Sequence, residues 1–175
     1  MIKNKFIDAF MKTAETFANL SSATRAKVGA IIVKDNRIIS IGYNGMPSGW
    51  DNSCEIEESW HDVPHMRNKY EEMGAKYNPG TNKWTLLKSR PEVLHAETNA
   101  IAKVAQSSES CKDAIMFCTH LPCIQCAKLI HQSGIKTVYF KTDYKAAIGS
   151  GRDFLESSGI EMVKVDESNI PQTIV

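Results

Sequence analysis

The first twenty residues of the chain place apolar side chains three and four positions apart. This spacing is typical of a helix that buries one face. The stripe consists of Phe6, Ile7, Phe10, Met11, Ala14, Phe17 and Ala18. The pattern predicts a core helix over residues 3–20, followed by a polar loop over residues 21–27.

Two short apolar runs then predict a pair of antiparallel strands. The first covers residues 28–33, and the second runs from Arg37 to Tyr43. Asp35 and Asn36 lie between them and are typical of a tight turn. Residues 42–49 combine glycines with asparagine and proline, which predicts a further turn after the second strand.

The stretch from Trp50 to Arg90 shows no regular periodicity and is expected to be the irregular part of the protein. A loop of that length in a compact domain is usually functional or carries a short helix of its own. Residues 66–73 are the candidate for such a helix.

From His95 onward, helical and strand patterns alternate. The predicted elements are a helix over 95–105, a strand over 114–119, a helix with Pro122 in its first turn that ends at Gly134, a strand over 135–140, a helix over 148–157 and a strand over 160–165. Alternation of this kind builds a parallel half-sheet through right-handed crossovers. We therefore predict a three-layer α/β/α sandwich with a mixed five-stranded sheet, formed by residues 1–175 as a single domain.

Composition narrows the possible functions. The formal net charge of +1 and the aromatic share of 8% do not favour nucleic acid as a partner. Charged residues interrupt the N-terminal segment, so neither a signal peptide nor a membrane span is expected there. The five cysteines are odd in number, which argues against a disulfide framework and fits a reducing cytoplasm.

The chemistry of the chain is concentrated between His95 and Cys126. His95, Cys123 and Cys126 offer one imidazole and two thiolates, which leaves the fourth position of a tetrahedral zinc open for water. Glu97 follows the histidine by two positions and is placed to move protons as a general base and acid. His-x-Glu followed by Pro-Cys-x-x-Cys is the signature of zinc-dependent nucleobase deaminases.

Weaker interpretations explain only part of this pattern. Cys123 and Cys126 alone would fit half of a zinc ribbon or a redox pair, but neither accounts for His95 and Glu97. The sequence is therefore compatible with three functions. They are a deaminase of free nucleotides, a deaminase of polynucleotides acting on a flipped-out base, and a zinc-stabilised binding module.

With these motifs, the sequence resembles the deoxycytidylate (dCMP) deaminase family, phage-type, within the cytidine deaminase superfamily. The matching stretches are residues 27–30, 42–47, 95–101, 122–128 and 133–136, which together span about residues 5–165. The resemblance implies zinc-dependent hydrolysis of dCMP to dUMP and ammonia, feeding thymidylate synthesis. It also implies a homohexamer in the cytoplasm (the host cytoplasm for a phage protein), activated by dCTP and inhibited by dTTP, with Mg²⁺ accompanying an effector triphosphate.

The resemblance also implies roles for particular residues. His95, Cys123 and Cys126 would bind zinc, and Glu97 would shuttle the proton from water to N3 and then to the departing ammonia. The substrate residues implied are Ser89, Arg90, Ala96 and Tyr144. The effector residues implied are Asn44 and Gly45, with Arg25 and Lys27 as nearby candidates. From the residues alone, Arg25 and Lys27 are either ordinary solvated charges or phosphate ligands.

One departure from the family pattern concerns a second metal. Some phage members hold a structural zinc with two cysteines and two histidines, whereas the corresponding positions here are Ser21 and Ser22, Thr85 and Val93. Cys54 remains, and His61 or His65 would still leave the site without a fourth ligand. We therefore expect one zinc per chain.

Overall fold

The computed structural model describes residues 2–143 and 149–166. The elements along the chain are α1 (Asn4–Ala18), β1 (Gly29–Lys34), β2 (Arg37–Tyr43), β3 (Glu55–His61), a 3₁₀ turn (Pro64–Met66), α2 (Arg67–Glu72), β4 (Lys76–Asn78), β5 (Lys83–Ser89), α3 (Ala96–Ala105), β6 (Ile115–His120), α4 (Ile124–Gln132), β7 (Thr137–Thr142), α5 (Arg152–Ser157) and β8 (Glu161–Lys164). None of the helices in these ranges is long and apolar enough to cross a membrane.

The main sheet has five strands in the order β2-β1-β6-β7-β8. Strand β1 pairs antiparallel with both β2 and β6, while β6, β7 and β8 run parallel. Asp35 and Asn36 adopt φ values of 50° and 57°, which closes the β1–β2 hairpin with the twist that such turns require. The predicted mixed five-stranded sheet is confirmed.

Helices cover both faces of this sheet and make the predicted three layers. On one face α1 packs Phe10, Met11 and Ala14 against the sheet, with Phe117 stacked on Tyr139 at a centroid distance of 4.7 Å. On the other face α3, α4 and α5 enclose the larger core. The apolar stripe of α1 therefore has the core role that its spacing predicts.

Gly42 on β2 explains how closely α3 lies on the sheet. A Cβ atom at this position would lie 2.2 Å from the Ala96 carbonyl oxygen and 2.6 Å from the Ala100 nitrogen. Side chains fasten the same helix to β2, since Ser40 Oγ donates to the Ala100 oxygen at 2.7 Å and Asn99 Nδ2 donates to the Tyr43 oxygen at 3.0 Å. Close packing of the α3 backbone against Gly42 and these two hydrogen bonds therefore fix the helix that carries the candidate site.

The stretch from Trp50 to Arg90 is more regular than the sequence predicts. It forms a second sheet of three antiparallel strands in the order β3-β5-β4, and the helix predicted over 66–73 is present as α2. Tyr70 of α2 lies between Trp60 and Trp84, with both centroid distances at 5.6 Å. Sequence periodicity missed these strands because polar residues occupy both faces of the sheet beyond that aromatic cluster.

Candidate metal centre and active-site cavity

The structure places His95 at the start of α3, in a conformation that the helix interior does not allow. Its φ and ψ are −76° and 153°, and its carbonyl oxygen accepts the Asn99 N–H at 2.9 Å. Because residues two apart inside a helix diverge, this extended residue is what lets His95 and Glu97 face the same space. The sequence predicts this arrangement, and the helix start is where expected.

The two cysteines lie at the start of α4. Cys123 is the N-cap residue and Cys126 lies in the first turn, so Pro122 precedes the helix instead of forming its first turn as predicted. The Pro122 carbonyl accepts the Gly151 N–H at 3.0 Å. A Cβ atom at Gly151 would lie 2.8 Å from that oxygen and 2.9 Å from the Cys123 oxygen, so only glycine allows this support of the cysteine loop.

His95, Cys123 and Cys126 converge on one point. His95 Nδ1 lies 3.5 Å from Cys123 Sγ and 3.3 Å from Cys126 Sγ. Tetrahedral zinc with bonds of about 2.05 Å to nitrogen and 2.3 Å to sulfur separates these ligand atoms by about 3.6 Å. The three donors therefore fit a zinc ion in both chemistry and spacing, and within the described ranges this is the one such cluster.

The protonation of the two thiols also favours a cation at this point. A hydrogen bond from Cys126 and, against the effect of burial, a hydrogen bond with His95 together lower the pKa of Cys123 to about 4. The same hydrogen bond, together with burial, raises the pKa of Cys126. The pair readily gives up one proton but holds the second between its sulfurs, where a metal ion would replace it.

Glu97 lies beside this cluster and is only 4% exposed. Burial raises the pKa of its carboxyl, although the nearby His95 opposes the shift. A carboxyl group with a raised pKa can hold a proton near neutral pH, which an exposed glutamate does not do. The environment of Glu97 therefore suits proton transfer.

A cavity of about 610 Å³ opens above the cluster. One part of its wall is formed by His95, Glu97 and Cys123. Another part is formed by the end of β5 and by the loop before β1. That volume lies within the usual range for sites that hold small ligands. The cavity is thus the candidate active site.

Most of the residues implied by the family resemblance meet at this cavity. Ser89, Arg90 and Ala96, expected for substrate, line it, and so do Arg25 and Asn44, expected for an effector. Gly45 and Lys27 are not part of its wall, although Gly45 exchanges backbone hydrogen bonds with Leu94, next to His95. Tyr144 lies outside the described residues.

Asn44 has a defined structural task at this cavity. Its Oδ1 accepts the Val28 N–H and its Nδ2 donates to the Ala26 carbonyl, both at 2.8 Å. These bonds hold the loop before β1 against the end of β2. An effector role for Asn44 remains a prediction. An effector bound by Asn44 would lie in the same cavity as the metal cluster.

His120 and Glu55 are polar residues of the cavity wall that the sequence did not indicate as site residues. His120 ends β6 three positions before Cys123 and lines the cavity; Thr119 Oγ1 lies 3.0 Å from its Nδ1, and burial lowers its pKa. Its position at the end of a strand that leads to a metal ligand was the available signal. Glu55 also lines the cavity, and it carried no local signal because its partners are distant in sequence.

Cys54 is buried outside the cluster of candidate metal ligands. Its Sγ lies 3.2 Å from Ser22 Oγ, and it packs with Ala23, Met46 and Val93 in a small apolar cluster. His61 is at the opposite end of β3 from Cys54. Within the described part of the chain these side chains do not form a second group of metal ligands.

The fold and the site together define a class: an α/β/α protein with a His/Cys/Cys cluster beside a buried glutamate. The chain belongs to the cytidine and deoxycytidylate deaminases, because the model of that family's zinc-binding region matches residues 4–142. It is 35% identical to the deoxycytidylate deaminase of Enterobacteria phage T4 over 157 residues, which is 82% of this chain and 81% of the phage protein.

Two further relatives agree with this assignment. The chain is 36% identical to human deoxycytidylate deaminase over 135 residues, 77% of this chain and 63% of the human protein. It also resembles the dCMP deaminase of cyanophage S-TIM5, solved in complex with dCMP and dUMP, with a TM-score of 0.73 and 37% identity. That match covers 94% of this chain and 100% of the cyanophage chain. The family predicted from the sequence motifs is confirmed.

Proposed function

We propose that this protein hydrolyses dCMP to dUMP and ammonia. The observation that carries the proposal is the buried Glu97 carboxyl beside the His95, Cys123 and Cys126 cluster, on the wall of a cavity that also bears cationic side chains. Related phage and human proteins are deoxycytidylate deaminases. The reaction feeds thymidylate synthesis, and its place in the cell is the cytoplasm.

The chain supplies the ligands and the proton shuttle for this reaction. His95, Cys123 and Cys126 would hold a zinc ion, which would make water a nucleophile near neutral pH. Glu97 would take one proton of the attacking water and deliver it to N3 of the cytosine ring. It would then take the second proton from the new hydroxyl on C4 and pass it to the departing amino group, which leaves as ammonia. Burial raises the pKa of Glu97, so the same carboxyl can both accept and return the proton.

The cavity wall favours a free nucleotide over a polynucleotide. Among the described residues that line it, none is Phe, Tyr or Trp. Deaminases and other proteins that bind single strands stack successive bases on such side chains. The binding-module alternative leaves Glu97 unexplained, because a structural zinc site has no use for a buried carboxyl that is not a ligand.

Regulation and assembly extend the proposal. We expect activation by dCTP, inhibition by dTTP and a homohexamer, as the family resemblance implies, with two states of the oligomer biased in opposite directions. Rate curves against dCMP with and without each triphosphate test this, and identical curves would show an unregulated enzyme. Mg²⁺ has little support at the cavity, since its described wall offers only Glu55 and Glu97 as carboxylates.

The central experiment compares substrates on the zinc-loaded protein. Deamination of deoxycytidine, dCMP, dCTP and a single-stranded oligonucleotide is followed in parallel by ultraviolet absorbance. We expect dCMP to be turned over with the highest kcat/KM. Preference for the oligonucleotide would instead support the polynucleotide deaminase.

Glu97→Gln tests the proton shuttle. The amide cannot transfer the proton, so kcat should fall by about 10²–10⁴-fold, the usual scale of general acid–base catalysis. Zinc content and thermal stability should be retained, because Glu97 is not a proposed ligand and glutamine has the same shape. A variant with nearly unchanged kcat would exclude Glu97 as the shuttle.

A further inference from the structure

Arg25 bridges two opposed residues at the edge of the small sheet. Glu55 on β3 and Ser89 on β5 are register partners. Glu55 Oε1 accepts the backbone N–H groups of Thr24 at 3.0 Å and Arg25 at 3.1 Å, and the Arg25 guanidinium donates to Ser89 Oγ at 3.1 Å. The main chain and the side chain of Arg25 are therefore both held at the end of the β3–β5 pair.

This bridge lies on the wall of the active-site cavity. Arg25, Glu55 and Ser89 all line it, together with His95 and Glu97. The chain segment with Thr24 and Arg25 belongs to the loop before β1, and the small sheet has no other hydrogen bond to the Arg25 side chain among the described residues. The Glu55 carboxylate thus fixes the Thr24–Arg25 part of this loop, and with it the guanidinium, at the cavity, while Asn44 holds the part at Ala26 and Val28.

Arg25 is bonded to a neutral hydroxyl, whereas Lys88 and Arg90 on the same cavity wall are paired with carboxylates. Lys88 pairs with Glu58 at 2.7 Å and Arg90 with Glu92 at 3.6 Å, and neither of those carboxylates lines the cavity. Within the described ranges the Arg25 guanidinium makes no ion pair, and its one side-chain hydrogen bond goes to the Ser89 hydroxyl. Its charge is therefore available to an anion in the cavity, and guanidinium matches phosphate through paired N–H groups.

We propose that Arg25, held in place by Glu55, contacts the 5′-phosphate of the mononucleotide whose base lies at the metal cluster, and that Glu55 is a positioning residue for substrate selection. This inference rests on the proposed function and moves Arg25 from the expected effector site to the substrate. Ser89 keeps the guanidinium aimed into the cavity until the phosphate arrives. Glu55 acts through the backbone and makes no contact with substrate.

The experiment compares dCMP with deoxycytidine, which lacks only the phosphate. Arg25→Gln should lower kcat/KM for dCMP by about 10- to 100-fold through KM, the scale expected for losing a hydrogen bond to a charged group. Turnover of deoxycytidine should not change. Arg37→Gln is the matched control, because it removes an exposed arginine at the start of β2 that is not part of the cavity wall.

A second pair of variants separates positioning from folding. Glu55→Ala removes the acceptor for both N–H groups and should raise KM for dCMP by about 3- to 10-fold with kcat little changed. Glu55→Gln keeps a carbonyl acceptor and should restore KM to within about threefold of the unmodified protein. Glu57→Ala, an exposed residue two positions along the same strand and outside the cavity wall, serves as the control.

Calorimetric titration with dUMP and with deoxyuridine provides a readout that needs no turnover. Arg25→Gln should weaken dUMP binding and leave deoxyuridine binding unchanged. Equal losses for dCMP and deoxycytidine, or no loss for dCMP, would overturn the inference. If the unmodified protein fails to deaminate dCMP but binds dUMP through Arg25, the proposed function fails while this inference stands.

Discussion

Replacing Gly42 by alanine should displace α3, the helix that carries His95 and Glu97 at its start, because Gly42 of β2 packs directly against the backbone of this helix. The added Cβ would lie 2.2 Å from the Ala96 oxygen, which is 1.2 Å short of ordinary van der Waals contact at 3.4 Å. Both close neighbours are backbone atoms, so no flexible side chain can move aside. Either α3 or β2 must shift by about 1 Å, the size of the overlap.

The magnitude follows from that displacement. Overpacking of a tight interior costs about 1–3 kcal/mol, and in a protein of this size each kcal/mol lowers Tm by about 2–4 °C. Ala96 separates His95 from Glu97, so a shift of the helix start moves the proposed metal ligand and the proposed proton shuttle together. A misplacement of about 1 Å in an active site can cost about 10²-fold in rate.

Thermal unfolding and dCMP deamination measure the two effects separately. Gly42→Ala should lower Tm by several degrees and kcat by about 10²-fold. Gly45→Ala is the control for stability, because a Cβ there would have no atom of the described residues within 4 Å. If Gly42→Ala keeps both Tm and kcat near those of the unmodified protein, close approach of α3 to β2 does not hold the site.

Two further predictions concern the metal and the small sheet. Cys126→Ser should lose the zinc that the unmodified protein holds at about one per chain, whereas Cys54→Ser should retain it; metal analysis after dialysis checks both, and two tightly held zincs would contradict a single site. Hydrogen bonds from Arg67 and Trp84 lower the pKa of Asp62 to about 2. Because this pKa is lower in the folded protein, the stabilisation is present above about pH 4 and is lost as the pH falls towards 2. The Tm advantage over Asp62→Asn should shrink across that interval, and a constant difference would refute the ion-pair explanation.

The sequence by itself determined the main sheet, the helix that starts at His95 and the set of candidate metal-ligating side chains. The elements depend on periodicity, and the pair Cys123 and Cys126 on a spacing of three positions within one element. His95 lies 28 positions before Cys123 and was added to the set by the motif, not by local spacing. The exact ends of helices depend on contacts with distant residues, which the sequence does not show. The sequence placed Pro122 inside α4, but the structure starts the helix after Cys123, because the Pro122 carbonyl is engaged by the distant Gly151.

Only the tertiary structure decided how the cavity wall is assembled. Arg25 meets Glu55 and Ser89 across 30 and 64 positions of sequence, so no local pattern records these contacts. The small sheet that carries Glu55 and Ser89 was likewise hidden, because its strands bury few residues and alternate weakly. A contact between segments far apart in sequence depends on how the sheets bring their ends together, and that is a property of the folded chain alone.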